Sequence, residues 1–179
     1  AYNGEIAYVD AQLERLLAAV DRRADAARTA VVVVGDHGES LGAHGEATHG
    51  MLLIEPALRV PLIVRAPGVS PAERADAASL VDIAPTVMAL AGLSAAAGPG
   101  RNLLELPSTD IESYAESEYP TVAAWAPMRA LVRDRWKLIV ASTPKLFDLS
   151  TDPGELVDLA AAKAPMAKAM TARLAEIRR

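Results

Sequence analysis

Cysteine is absent from this chain and aromatic residues are rare, and each shortage excludes a class of function. It has no cysteine among its 179 residues, which excludes disulfides, zinc–cysteine sites and a thiol nucleophile. Aromatic residues make up 4% of it and its formal net charge is −5, so a basic nucleic-acid-binding surface with interleaved aromatic rings is not expected. The sequence also lacks an apolar run approaching the roughly 20 residues of a membrane-spanning helix. The composition that remains, 51% hydrophobic and 23% charged, is typical of a globular protein.

Histidine is scarce too, but its three copies are concentrated in one stretch, residues 35–50. This stretch directly follows the β-branched run Val31–Val34. A run of this kind that stops at Gly-Asp-His-Gly predicts a buried parallel strand whose carboxyl end opens into a loop. Open α/β sheets bind their ligands at such ends, so we expect the chemistry of the chain there.

Asp36 and His37 are adjacent candidates for metal ligands. A carboxylate oxygen beside an imidazole nitrogen suits Zn, Mn or Fe and, less specifically, Ca or Mg. Side chains on a regular strand alternate between faces, so the two could share one ion only where the backbone leaves the strand, which Gly35 and Gly38 permit. The alternative is a strand-end turn, in which Asp36 accepts hydrogen bonds from loop amides and His37 packs at the rim.

His49 lies twelve positions beyond His37, far enough for the loop to fold back and present its ring over an ion. It could donate to an anionic substrate oxygen or ligate a second metal. His44 could bind substrate or only fix the loop. Glu39 and Glu46 are predicted to be solvated loop acids, although Glu39 is close enough in sequence to be the partner of an imidazole.

The first half of the sequence predicts an α/β fold. Apolar residues at helical spacing predict an amphipathic helix over residues 4–22, and β-branched runs predict strands at 29–34 and 60–65. Helix and strand in this order are typical of part of a parallel or mixed sheet flanked by helices. A further helix is predicted over residues 80–91, with Asp82 as its cap.

The second half of the sequence has a different residue pattern. Small, unpatterned residues at 94–100 predict an internal boundary. Short strand-like runs separated by turn residues then predict a small antiparallel sheet with a carboxyl-terminal helix. The predicted strands are 114–119, 128–133, 136–140 and 146–149, followed by a turn at 152–155 and a closing helix at 166–177.

A series of motifs, in order, resembles the carboxyl-terminal half of the sulfatase family within the alkaline phosphatase superfamily. The first is Val-Val-Gly-Asp-His-Gly-Glu-Ser-Leu-Gly at residues 33–42, and the second is Thr48-His49-Gly50. The opening helix around Tyr8–Leu13 is similar as well, so the resemblance covers nearly the whole chain. Further similar landmarks lie at residues 58–64, 81–86, 91–93, 114–118, 136–139, 146–149 and 152–155.

The resemblance implies a metal-dependent sulfatase that hydrolyses sulfuric esters. It implies that Asp36 and His37 coordinate the active-site metal, and that His49 is a catalytic residue placed against the sulfate or phosphate oxygens. The family favours calcium as its one divalent ion, with zinc or manganese as alternatives. Such enzymes perform in-line displacement at sulfur or phosphorus while a metal polarises the ester oxygens.

The sequence departs from the family in one respect. Sulfatases carry their nucleophile in a Cys/Ser-x-Pro-x-Arg motif, with further metal-binding acids, in an amino-terminal half. This chain has no such motif, and Ser70-Pro71 lacks its spacing. We therefore expect a fragment that is inactive alone and whose partner is the missing amino-terminal half of the same protein. The faces which that half covers are expected to form an exposed apolar patch.

Two other functions fit the same motifs. The run Asp-His-Gly-Glu-Ser-Leu-Gly also occurs in phosphoryl or phosphoethanolamine transferases and in phosphonate or phosphodiester hydrolases of the superfamily. An inactive module that keeps only the fold is the third possibility. A formylglycine-type motif upstream would select the sulfatase, whereas an upstream Thr nucleophile with membrane helices would select the transferase. In the enzymatic cases the expected substrate is a small sulfate or phosphate ester.

The resemblance also implies a domain division. Residues 1–93 correspond to the later part of the sulfatase-like α/β catalytic domain, 94–111 to a linker, and 112–179 to the small antiparallel subdomain with its closing helix. Family members often work outside the cytoplasm, but no segment of this sequence indicates a location. Trp125 is the best candidate for an exposed ring near a pocket, and packing at the sheet edge is its alternative.

Overall fold

The computed structural model describes residues 2–74, 76–94, 98–105 and 111–177. The chain divides into two compact units, one formed by Ala1–Val34 with Leu62–Glu73 and the other by Gly35–Pro61 with Arg74–Arg179. Residues 95–97 and 106–110 of the predicted linker lie outside the described residues. No helix in the described ranges is long and apolar enough to cross a membrane.

The first unit contains one long helix and a two-stranded sheet. Helix α1 spans Tyr2–Asp21, close to its predicted range, and none of its residues is buried. Ile6, Val9 and Leu16 of its apolar stripe are more than half exposed, as expected for an uncovered apolar face. Strands β1 (Val31–Val34) and β2 (Leu62–Arg65) pair with each other.

The pairing of β1 with β2 is antiparallel, which corrects the expectation of a parallel strand at this point. Val31 lies opposite Arg65 and Val34 opposite Leu62. A parallel pair needs a crossover that returns the chain to the starting end, usually through a full helix. The connection here holds a three-residue 3-10 turn, Ala43–Gly45, and the four-residue helix α2, Glu55–Leu58. The chain turns back so that the Gly35 amide donates to the Pro61 carbonyl at 3.3 Å.

The second unit contains the predicted four-stranded antiparallel sheet. Leu131, Leu138 and Leu146 lie opposite one another on three adjacent strands, and each is fully buried. The carboxyl-terminal helix α4, Ala164–Ile177, packs on them through Ala167, Met170 and Leu174, which completes the core of this unit. The α/β class with a small antiparallel sheet and a closing helix is thereby confirmed. In sheet order the strands are β3 (Glu112–Ser117), β4 (Met128–Arg133), β5 (Trp136–Val140) and β6 (Pro144–Asp148).

The helix predicted over residues 80–91 forms in two parts, a 3-10 turn at Leu80–Asp82 and helix α3 at Ile83–Leu90. Asp82 caps it as the acidic member of a capping box, accepting the Ser79 amide at 2.9 Å. Its other oxygen accepts the Arg101 amide, also at 2.9 Å. Asp82 is therefore a structural residue, in agreement with the sequence-based interpretation.

Candidate metal and anion site

The loop of residues 35–50 folds back on itself through its own backbone. The Ser40 amide donates to the Thr48 carbonyl at 2.8 Å, and the Gly42 amide donates to the Glu46 carbonyl at 2.8 Å. Gly42 takes φ +93°, a left-handed conformation that a side chain disfavours, at the start of a tight turn. This return brings His49 beside His37, which makes the loop a preformed cluster of polar groups.

Asp36 and His37 project from the beginning of the loop. Asp36 is 92% exposed at its side chain, and its Oδ1 accepts the His37 amide at 3.0 Å. His37 Nδ1 lies 2.8 Å from the Gly38 carbonyl oxygen, and because a carbonyl only accepts, Nδ1 must carry the proton. The lone pair is therefore on His37 Nε2, which lies 3.9 Å from Asp36 Oδ1.

His49 stacks on His37. Their ring centroids are 3.9 Å apart and their planes differ by 30°. His49 Nδ1 lies 3.2 Å from Glu39 Oε2, so it too donates a proton to a fixed acceptor and leaves Nε2 free. Glu39 thus has the role of imidazole partner that its position in the sequence allowed.

His44 is held elsewhere. Its Nε2 donates to the Gly154 carbonyl at 2.9 Å, and its backbone lies in the left-handed region at φ +51°. Strain of this kind persists only where contacts hold the residue in place, and the bond to Gly154 is such a contact. The structure therefore gives His44 a loop-fixing contact, and its role in substrate binding stays a prediction.

Glu46 is buried, which corrects the expectation of a solvated acid. Its carboxylate accepts hydrogen bonds from the Ser40 hydroxyl at 3.1 Å, the Met51 amide at 2.7 Å and the Leu52 amide at 3.1 Å. A buried carboxylate is tolerated because three donors surround it. Glu46 therefore ties Ser40, inside the loop of residues 35–50, to the two residues that follow this loop, which we call the histidine loop. The local sequence of Glu46 carries no signal of this.

The donor groups of this loop fit part of a metal site. Among the described residues no group of three or more His, Asp or Glu side chains is placed to hold an ion. Asp36 and His37 do offer one carboxylate oxygen and one correctly deprotonated nitrogen close together, which suits part of a coordination shell for a divalent ion. The fit is that of a half-site, which needs further ligands.

Trp125 is 57% exposed, and it follows a short 3-10 helix at Tyr119–Ala123. The Ser117 hydroxyl donates to the Gly50 carbonyl, so this segment is tied to the residue after His49. Its exposure favours the exposed-ring interpretation over packing at the sheet edge.

Comparison with known proteins agrees with the motifs. A sequence model of the sulfatase family matches residues 1–93. The chain is 32% identical over 167 residues to choline-sulfatase of Rhizobium meliloti (strain 1021), covering 89% of this chain and 32% of that protein. It is 30% identical over 176 residues to arylsulfatase K of Homo sapiens, covering 89% of this chain and 33% of that protein.

A solved structure agrees as well. The structure of a 2-O GAG sulfatase matches with a TM-score of 0.74 at 25% identity, covering 94% of this chain and 39% of that one. The chain spans about a third of the length of the curated relatives that it matches. The family model covers just over half of the chain, and the similarity to curated relatives extends to most of the remainder. The chain belongs to the sulfatase family.

Proposed function

We propose that this chain supplies part of the metal and anion site of a metal-dependent sulfuric ester hydrolase. The proposal is carried by one arrangement, in which His37 and His49 stack while each ring has its Nδ1 committed to a fixed acceptor. Both Nε2 atoms are thereby left for chemistry, and the Asp36 carboxylate lies beside one of them. The sulfatase relatives support the reaction type.

Each residue has a distinct part in this proposal. Asp36 and His37 Nε2 hold the ion, together with ligands from outside this chain. A bound divalent cation would polarise the ester oxygens and stabilise the charge that develops on them. His49, when protonated, donates from Nε2 to an anionic substrate oxygen, and Glu39 keeps its ring turned toward that oxygen.

The nucleophile is proposed to come from a part of the protein outside these 179 residues. The chain has no cysteine and no Cys/Ser-x-Pro-x-Arg motif. Within this scheme residues 1–93 are the later part of the catalytic domain, 94–111 a linker, and 112–179 the small subdomain. The metal is proposed to be calcium, with zinc or manganese as outcomes that a loading experiment can distinguish.

The test compares the full-length polypeptide with its Asp36→Asn and His37→Gln variants. Asp134→Asn is the matched control, because Asp134 is an exposed turn residue at φ +54° that Asn also adopts. Metal content after loading with calcium, manganese or zinc is measured beside sulfate release from an aryl sulfate and phosphate release from an aryl phosphate. We expect both site variants to lose bound metal and at least about 100-fold in sulfate release, with the control unchanged.

Other outcomes contradict the proposal in different ways. Faster release of phosphate than of sulfate assigns the site to the phosphoryl-transfer branch. Stoichiometric metal retained in both site variants removes Asp36 and His37 from the coordination shell. Absence of both metal and turnover in the wild-type protein leaves only a module that keeps the fold.

A further inference from the structure

A lysine is completely buried between two carboxylates in the small sheet. Lys137 of β5 has no exposed surface, and its Nζ lies 2.9 Å from Glu55 Oε1 and 2.8 Å from Glu155 Oε1. The first contact is a hydrogen bond, whereas the second is an ion pair without hydrogen-bond geometry. We name these three residues the buried triad. The sequence signal for it is a single cation within the apolar strand Trp136–Val140.

Stability alone is a weak explanation for the buried triad. Removing charges from water is costly, and well-packed apolar residues of similar volume often serve a protein as well or better. The triad does join segments that are far apart in sequence. Glu55 is separated from Lys137 by 82 positions and begins helix α2, and its own amide donates to Glu155 Oε2 at 2.6 Å. Ionic groups in such a place can specify one arrangement of the chain.

Glu155 is itself held in an unusual conformation. It ends the turn that starts at Asp152, and its φ of +55° lies in the left-handed region. A non-glycine residue keeps such strain only where its surroundings impose it. The preceding residue, Gly154, accepts the hydrogen bond from His44. The turn therefore contacts helix α2 through Glu155 and the histidine loop through the preceding residue, Gly154.

Helix α2 in turn contacts the backbone at the beginning of the candidate site. The Gly38 amide donates to the Ala57 carbonyl at 2.8 Å, and a Cβ on Gly38 would lie 2.0 Å from the Pro56 carbonyl oxygen. The backbones of residue 38 and of helix α2 are thus in direct contact. The Gly38 carbonyl accepts the His37 Nδ1 proton and so sets which nitrogen of that ring is free.

We propose that Lys137 is a positioning residue for the metal and anion site. Through Glu55 and Glu155 it fixes helix α2, helix α2 fixes Gly38, and Gly38 fixes the ring of His37. The buried triad has one cation and two carboxylates, so loss of the cation leaves the buried Glu155 and the partly exposed Glu55 as unpaired anions that separate and release helix α2. The metal part of this inference rests on the proposed function, whereas the effect on the His37 ring does not.

The experiment uses Lys137→Met in the full-length polypeptide, which keeps an unbranched chain of similar volume and removes the charge. Asp148→Asn is the control for a general loss of stability, since Asp148 lies in the same sheet, pairs with Arg135 at 3.2 Å and accepts hydrogen bonds at its carboxylate from Ser150. Calcium and manganese affinity is measured by titration calorimetry. The ring nitrogen chemical shifts of His37 are measured in the metal-free protein.

We expect Lys137→Met to weaken metal binding about 10- to 100-fold, as loss of an outer positioning group does. The His37 shifts should move away from the single Nδ1–H form. Asp148→Asn should leave metal affinity and the His37 shifts unchanged, at a melting temperature comparable to that of Lys137→Met. If Lys137→Met does not fold, Glu55→Ala decides under the same criteria, because it removes the contact of Lys137 with helix α2 while Lys137 stays paired with Glu155.

Two results overturn the inference. A variant that loses stability while metal affinity and His37 shifts stay as in the wild type shows that the triad is only structural. Equal effects of Lys137→Met and Asp148→Asn show the same. A third result separates the inference from the proposed function. If the wild-type protein binds no metal but Lys137→Met still moves the His37 shifts, the positioning role is supported and the proposed function is contradicted.

Discussion

The imidazole rings of His37 and His49 stack at 3.9 Å between centroids, although twelve positions separate them in the chain. Each ring is oriented by a different acceptor, the Gly38 carbonyl for His37 and the Glu39 carboxylate for His49. The two rings are therefore oriented by different residues, and their faces lie against each other. This arrangement allows one ring to hold a metal ion and the other to contact the substrate, and variants at the two positions should differ.

Replacement of His49 is expected to impair turnover without loss of metal. His49→Gln should lower kcat/KM for a sulfate ester by about 10²- to 10³-fold, because a donor to the anionic oxygens is lost. Metal content should be unchanged, since His37 is oriented by Gly38. Steady-state kinetics and metal analysis of the full-length protein measure the two effects. Loss of metal together with activity would instead make His49 a ligand.

Replacement of Gly38 is expected to damage the site and the fold around it. In Gly38→Ala the new Cβ would lie 2.0 Å from the Pro56 carbonyl oxygen, so the backbone must move. Overpacking of this kind costs about 1–3 kcal/mol, and the melting temperature should fall accordingly. Gly154→Ala is the matched control, because its Cβ would make only an ordinary 3.6 Å contact with Leu156. Equal melting temperatures for the two variants would contradict the close approach.

Replacement of Glu46 is expected to loosen the histidine loop. Glu46→Ala leaves the Ser40 hydroxyl and the Met51 and Leu52 amides without their acceptor. Unsatisfied donors of this kind cost about 1–3 kcal/mol, measurable as a lower midpoint of urea unfolding. Hydrogen exchange at Met51 and Leu52 should accelerate. Glu73→Ala, at an exposed position, serves as the control, and a loss no greater than that of the control would refute the role assigned to Glu46.

Acid is expected to remove the contribution of Asp148 to the stability of the fold. The Ser150 hydroxyl and amide, together with Arg135, hold the pKa of the Asp148 carboxyl below its usual range. A lowered pKa stabilises the fold above the unfolded value, about 3.9, and this contribution is lost as pH falls through the folded value. The difference in melting temperature between wild type and Asp148→Asn should be largest near neutral pH and should shrink below about pH 4.

A second variant checks the cause of that pH dependence. Ser150→Ala removes the shortest hydrogen bond to the carboxylate, 2.6 Å, while Arg135 stays in place. The loss of stability on acidification should then be smaller than in the wild type and complete at a higher pH, because the folded pKa moves toward the unfolded one. An unchanged acid midpoint in this variant would show that Ser150 does not lower the pKa.

Local pattern was sufficient for most of the secondary structure. The predicted bounds of β4 and β5, 128–133 and 136–140, match the structure, because alternating side chains and the intervening turn residues are properties of adjacent positions. The ends of β3, β6 and α4 differ by about two residues, a usual uncertainty at element ends. Asp36, His37 and His49 could be predicted as candidate site residues for the same reason, since one continuous loop contains all three.

Tertiary structure decided what no local pattern encodes. The antiparallel direction of β1 against β2, the burial of Glu46 and the contact of Lys137 with Glu55 and Glu155 were not derivable from the sequence. A half-buried apolar run looks the same whichever direction its partner strand takes. The local sequence around a glutamate or a lysine predicts a solvated side chain, because the hydrogen-bond donors or counter-charges that allow its burial come from distant segments. The sequence by itself therefore determined the elements and the loop that is proposed to carry the chemistry. Only the packing of distant segments determined how that loop is held, because residues that contact each other across about a hundred positions have no effect on each other's neighbouring sequence.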